Sequence, residues 1–380
     1  MKLFTDSIYP NVLNTFEYLH ANGEISWEEV QTTSYIQSIL EQHGCETITF
    51  NDCTGVIGKY GSFDKNLPIV AIRADMDALW QEVNGTFQPN HSCGHDAHMS
   101  IVLGVLWSLE QLPNIKEQVA IKFIFQPAEE TGTGALKMVE KGVVDDVDYL
   151  YGIHLRPFQE TEDGRATPMI VHGATQSIEM DIQGHDAHGA RPHLNKNAIN
   201  IGMQIVNGIN AIRLTPNTPH SVKVTRFQAG GKNTNIIPGR AHLALDLRAQ
   251  TNELMAELIE EVKQVVEGVK HQTHTHIEFK PTHGIAAAVT NEEAVSIMKE
   301  AICETLGEEK VDPRLVSPGG DDFHFYTIKR PNIKATMLGL GCDLQPGLHH
   351  PQMEFNHKSM IHGVKILTNA IFQTYNLPLP

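Results

Sequence analysis

Four apolar runs constrain this chain more than any other feature of its sequence. One reads Pro68-Ile69-Val70-Ala71-Ile72-Arg73-Ala74, and the others cover 119–125, 149–153 and 334–340. Apolar runs without alternation mark strands buried on both faces, the kind found in α/β sheets. Each run leads into side chains that can ligate a metal or carry a proton. Asp75 and Asp77 follow the first, Glu129 and Glu130 the second, His154 the third, and His349 and His350 the fourth. In open α/β sheets, sites form at the carboxyl ends of strands. The pattern predicts one edge of one sheet where these groups converge.

A second concentration of chemistry is His91-Ser92-Cys93-Gly94-His95-Asp96-Ala97-His98. Met99, Ile101, Val102, Val105, Leu106 and Leu109 follow with helical spacing, so the cluster opens a buried helix with Asp96 as the expected N-cap. A helix start favours negative charge, which predicts a depressed pKa for the thiol. Gly94 permits a tight turn that lets Cys93 and His95 face one ion. Taken singly, these residues read as a buried thiol and surface histidines. Crowding them at one helix start gains nothing apolar, and a metal site explains the set better.

At 380 residues the chain is expected to form two domains. The 29 Lys and Arg against 45 Asp and Glu argue against nucleic acid as a partner. Five irregularly spaced cysteines suggest no disulfide framework and a reducing, cytoplasmic setting. The first residues turn polar at once, so no signal peptide is expected. No apolar run reaches membrane-spanning length, so no membrane partner is expected.

Residues 174–284 follow a different pattern. Strand and helix periodicities alternate there as β-α-β-β-α-β, which predicts an inserted ferredoxin-like α+β domain with two helices on one face of a small sheet. Residues 1–173 and 285–380 would form the metal-binding domain around it. The uncovered sheet edge of the insert offers a homodimer contact.

Cys93, His95, Glu130, His154 and a C-terminal His make five ligands, more than one tetrahedral site uses, so two metals are expected. A thiolate suits zinc and can bridge two cations. Of the adjacent Glu129 and Glu130, one would ligate and the other would carry the proton of a bridging water.

The strings Ile72-Arg73-Ala74-Asp75-Met76-Asp77-Ala78-Leu79, Cys93-Gly94-His95-Asp96-Ala97-His98, Phe125-Gln126-Pro127-Ala128-Glu129-Glu130, Gly152-Ile153-His154 and Asn235-Ile236-Ile237-Pro238 carry a family resemblance. Together they resemble the hippurate hydrolases and auxin–amino acid conjugate hydrolases, two-metal amidohydrolases related to carboxypeptidases and aminoacylases. The resemblance implies a zinc-exopeptidase-like α/β catalytic domain, a mixed sheet flanked by helices, with an inserted lid. It implies ligands at Cys93 (bridging), His95, Glu130, His154 and His349, with Glu129 as base and Asp77 behind the ligands. His188 would stabilise the oxyanion, often across a dimer interface in relatives, and Asn235 and Arg248 would grip a substrate carboxylate.

Two departures stand out: Asp321 replaces a usual Glu, and Trp80 a usual Pro, and both could tune an acyl pocket. The function so implied is hydrolysis of N-acyl amino acids or similar small amides by a hydroxide held between two divalent ions. Zinc is the foremost candidate, with manganese, cobalt or nickel as alternatives. The rival readings are a dipeptidase or carboxypeptidase on the same metals, a non-catalytic binder, and a purely structural metal site.

Overall fold

The computed structural model describes residues 2–281 and 283–379, with side chains from Ser7 onward. The chain divides into two compact units. One runs up to Val171 and takes up Val289–Val316 and the chain from Asp321 on; the other comprises His172–Ala288 and Ser317–Gly320.

The first unit is built on a seven-stranded mixed sheet. Its order is Glu46–Thr49, Val56–Gly61, Ala120–Gln126, Val70–Asp75, Tyr149–Pro157, Lys334–Leu344 and Ala166–Thr167. The four strands carrying the apolar runs are the contiguous centre, and they are mutually parallel. The flanking strands are antiparallel. Every residue of Val70–Asp75 and Ala120–Gln126 is buried, so these strands show no alternation of polarity.

Their side chains still alternate between two cores. Val70, Ile72, Ile121 and Phe123 pack with the helices Lys2–Ala21, His95–Glu110, Glu292–Leu306 and Met360–Thr374. Ala71, Ile124 and Leu150 pack with Ala135 and Met138 of the helix Gly134–Glu140 and with Tyr326. The sheet is thus sandwiched between helical layers, and its strand ends are left to carry chemistry.

Two details depart from the sequence reading. His154 lies inside the strand Tyr149–Pro157, not beyond its end, because Leu155 and Arg156 continue the pairing with Leu340 and Gly341. A hairpin, Leu79–Val83 with Thr86–Asn90, follows Asp77; its residues are half-buried or exposed, and it lacks the apolar run that reveals the central strands.

The second unit has the strand order His220–Ala229, Ala241–Ala249, Ala174–Gln183, His276–Lys280, all antiparallel. The helices Ala198–Ala211 and Asn252–Thr273 bury Ile201, Ile205, Ile209, Leu258, Val262 and Val266 with Met180, Leu243, Leu245 and Leu247 of the sheet. This β-α-β-β-α-β unit is the ferredoxin-like arrangement, with one short added strand, Gly284–Ile285, paired to Ala174–Gln183. No described helix of the chain is long and apolar enough to cross a membrane.

Candidate metal centre

The site begins with a turn. Gly94 has φ +85°, a left-handed conformation that glycine adopts without steric cost, and it caps the helix His95–Glu110. Asp96 is therefore not the N-cap. It lies in the first turn, fully buried, where its carboxylate accepts from the Ala97 amide at 2.8 Å and meets His20 Nδ1 at 2.7 Å.

The turn aims Cys93 and His95 inward. His95 Nδ1 lies 2.8 Å from the Asp77 carbonyl, which can only accept, so Nδ1 carries a proton and Nε2 is the nitrogen that can offer a lone pair once a cation takes the place of its proton. Nε2 is buried with no hydrogen-bond partner among the described residues. His154 repeats the device: Nδ1 donates to the Leu155 carbonyl at 2.7 Å, and Nε2 lies 3.6 Å from Cys93 Sγ. A metal-ligating imidazole is oriented by a bond of this kind from its other nitrogen. His98, from the same string, has both nitrogens engaged, with Asp75 Oδ1 at 2.7 Å and the Leu155 amide at 2.9 Å. It is a strut between strands and has no lone pair to offer.

The adjacent glutamates both reach His95, their ligand atoms and its own lying within 4.8 Å of one another, and the backbone before them is bent. Ala128 has φ +54°, and its amide donates to Glu29 Oε1 at 2.8 Å. The Glu129 and Glu130 amides each donate at 3.0 Å to one oxygen of Asp77. Asp77 Oδ2 also accepts from Ser26 Oγ at 2.6 Å. One carboxylate thus fixes the tandem-glutamate turn while its own carbonyl orients His95.

The ligand atoms form two triples that share one sulfur. Those of Cys93, His95 and His154 lie within 4.8 Å of one another, as do those of Cys93, Glu130 and His349. Among the described residues Glu130 Oε1 has no hydrogen-bond partner, although His349 Nε2 is 3.3 Å away. His350, by contrast, is exposed and uses Nδ1 to accept from the Gln352 amide. A shared thiol, imidazole lone pairs and carboxylates make a donor set that fits two borderline divalent cations.

Electrostatics agree with a need for positive charge. Burial pushes the Cys93 thiol well above its usual range, and Glu130 adds to this. The helix-start effect expected from the sequence is thus outweighed by desolvation. Burial, Asp321, Glu130 and Asp322 push Glu129 far up. Burial would lower His95, but Asp75, Cys93 and Asp77 raise it well above normal. Behind the donors, fully buried Arg73 binds Asp75 at 2.6 Å, Asp322 at 2.9 Å and Gln126 at 2.9 Å. Asp321 is buried near Glu129, and Trp80 is exposed on the hairpin.

The other expected site residues belong to the second unit. His188 sits on a short strand paired with Ile236, and Gly189 donates to the Asn235 carbonyl at 2.7 Å, so His188 and Asn235 are neighbours. Both are exposed. Arg248 is on the strand Ala241–Ala249, 46% exposed, with Nε on Asp246 at 3.1 Å. Glu29 and Gln81 escaped the sequence reading, since both act on residues distant in sequence.

Residues 71–373 match peptidase family M20/M25/M40, and the chain belongs to that family. It is similar to the N-acetylcysteine deacetylase of Bacillus subtilis, at 28% identity over 93% of this chain and 94% of the relative. It is also similar to an N-acyl-L-amino acid amidohydrolase of Geobacillus stearothermophilus, 31% identical over 77% and 81%. A solved Bacillus subtilis structure described as a dinuclear metal-binding peptidase superposes with a TM-score of 0.81 at 25% identity, covering 98% of this chain and all of that one. The chain is thus an amidohydrolase-class enzyme of a metal-binding peptidase family.

Proposed function

We propose that the enzyme hydrolyses the amide bond of N-acyl amino acids or similar small amides. Cys93, His95, Glu130, His154 and His349 would hold two divalent cations, with zinc the first choice for a thiolate-containing set. The observation that carries this reading is the pair of donor triples meeting at the Cys93 sulfur. Two such cations, when bound, supply the means to acidify water and polarise a carbonyl.

The chain's own groups do the rest. Glu129, with Oε2 3.9 Å from His95 Nε2, would be ionised once bound cations offset the neighbouring carboxylates, and would then take a proton from the attacking water and pass it to the leaving nitrogen. The water oxygen adds to the carbonyl carbon, the carbonyl π electrons move to its oxygen, and collapse of that oxyanion breaks the C–N bond as the nitrogen takes the proton, giving a carboxylic acid and an amine. His188 Nδ1 accepts from the Ala190 amide at 3.1 Å, which leaves the proton on Nε2 as a donor for the developing oxyanion. Arg248 and Asn235 would anchor the substrate carboxylate, Arg through its planar fork. The names of the two amidohydrolase relatives support the substrate class. The exposed edge strand His220–Ala229 is our candidate contact for a homodimer, which sedimentation would test.

The test is release of acetate or benzoate from N-acyl amino acids, set against matched dipeptides and against N-acyl amines lacking the carboxylate. The expected order has N-acyl amino acids fastest, and a Glu129→Gln enzyme loses about 10²–10⁴ in kcat while keeping its metals. Faster turnover of dipeptides would move the assignment to a peptidase, and full activity in Glu129→Gln would remove the base.

A further inference from the structure

His349 differs from the other candidate ligands. His95 begins a buried helix and His154 lies in a central strand, but His349 sits on an exposed loop with its side chain 53% accessible. Its backbone is left-handed, at φ +63°, a conformation rare for residues with a Cβ. Something must hold it there.

The hairpin Leu79–Val83 and Thr86–Asn90 does so through one side chain. Gln81 Nε2 donates to the His349 carbonyl at 2.9 Å. Gln81 Oε1 accepts from Ser92 Oγ at 2.7 Å and from Asn90 Nδ2 at 3.1 Å. The His349 amide in turn donates to the Ser92 carbonyl at 2.7 Å. The ring closes: both backbone groups of His349 are tied to the residue just before Cys93. Asn90 Nδ2 adds a bond to the Pro351 carbonyl at 3.2 Å, gripping the loop beyond His349.

We propose that Gln81 is a positioning residue for His349, holding the Cys93–Glu130–His349 triple in register while leaving the Cys93–His95–His154 triple to the sheet and helix. The inference rests on the two-cation reading above and predicts an asymmetry within it. Loss of the Gln81 amide should weaken one of two metal positions and spare the other. Partners that orient a ligand typically contribute 10–100-fold in metal affinity.

The experiment titrates metal-free enzyme with Zn²⁺ by calorimetry, and with Co²⁺ by absorption spectroscopy, for wild type, Gln81→Leu and Gln81→Glu. Gln81→Glu keeps the shape but sets an acceptor against the His349 carbonyl, and it carries the test if Gln81→Leu does not fold. The expected result is two equivalents in wild type, and in the variants one unchanged equivalent with the second weakened about 10–100-fold. Unchanged binding of both equivalents, or equal weakening of both, would overturn the role of Gln81. A wild type that binds no metal would instead strike the two-cation reading itself.

Discussion

The two units hold their candidate site residues in opposite ways. In the first, Cys93, His95, Glu129 and His154 are buried, and each imidazole is oriented by a backbone carbonyl. In the second, His188, Asn235 and Arg248 are exposed on strands and a loop, with few bonds fixing their tips. Donors that must meet an ion within tenths of an ångström gain from a rigid, dry surround. Side chains that greet a substrate gain from reach and from being hydrated until it arrives. The same contrast separates Arg73, locked among carboxylates, from exposed Arg248, which pairs with Asp246.

Changes behind the buried donors should therefore have the largest effects. Asp77→Asn sets an amide nitrogen against a backbone N–H of the glutamate turn, and metal affinity in equilibrium dialysis should fall about 10–100-fold. An unchanged affinity would break the contrast at its strongest point.

Glu29 gives a pH signature of comparable size. Burial pushes its carboxyl up to about 7, against the bond from Thr54 that lowers it. The folded value lies above the unfolded one of about 4.3, so the stability it confers is present below pH 4.3 and is lost as pH rises through 7. Relative to Glu29→Gln, wild type should lose up to about 3 kcal/mol between pH 4 and 8 in urea melts. A constant difference across that range would mean that the carboxyl ionises as freely when folded as when unfolded.

Arg248→Ala should raise KM about tenfold for N-acyl amino acids, with little change for analogues lacking the carboxylate, and leave the melting temperature in place. Equal losses on both substrates would detach Arg248 from carboxylate recognition. The smallest effect belongs to Lys280, paired with Asp181 at 3.0 Å on the exposed face of the second unit. Lys280→Ala should leave the urea midpoint and the melting temperature where they are in wild type. A drop in either would show that exposed networks here count for more than their hydration suggests.

Much of this was legible in the sequence because the central strands are buried on both faces and end in polar residues. The apolar runs located the four parallel strands and the edge where Asp77, Glu129 and Glu130 gather. The hairpin at Leu79–Asn90 was not legible, since its exposed residues carry no apolar run. Asp96 was misread as the cap because Gly94, which has no side chain to bond, takes that place. The thiol's pKa was misjudged because burial, a long-range property, outweighs the local helix field. Glu29 and Gln81 were invisible for the same reason: they act on residues that only folding brings near. The individual roles of His188, Asn235 and Arg248 came from family resemblance, not from any local pattern.

The bend at Ala128 has a consequence for anyone who would move this chemistry elsewhere. The five letters Gln-Pro-Ala-Glu-Glu look like a portable cassette, yet the bend depends on a carboxylate 99 positions upstream. Grafted alone onto another strand end, the string would be free to straighten, and its two acids would point apart. The inheritable unit is a set of distant letters, and recombination that splits Glu29 from Ala128 would keep the motif and lose its shape.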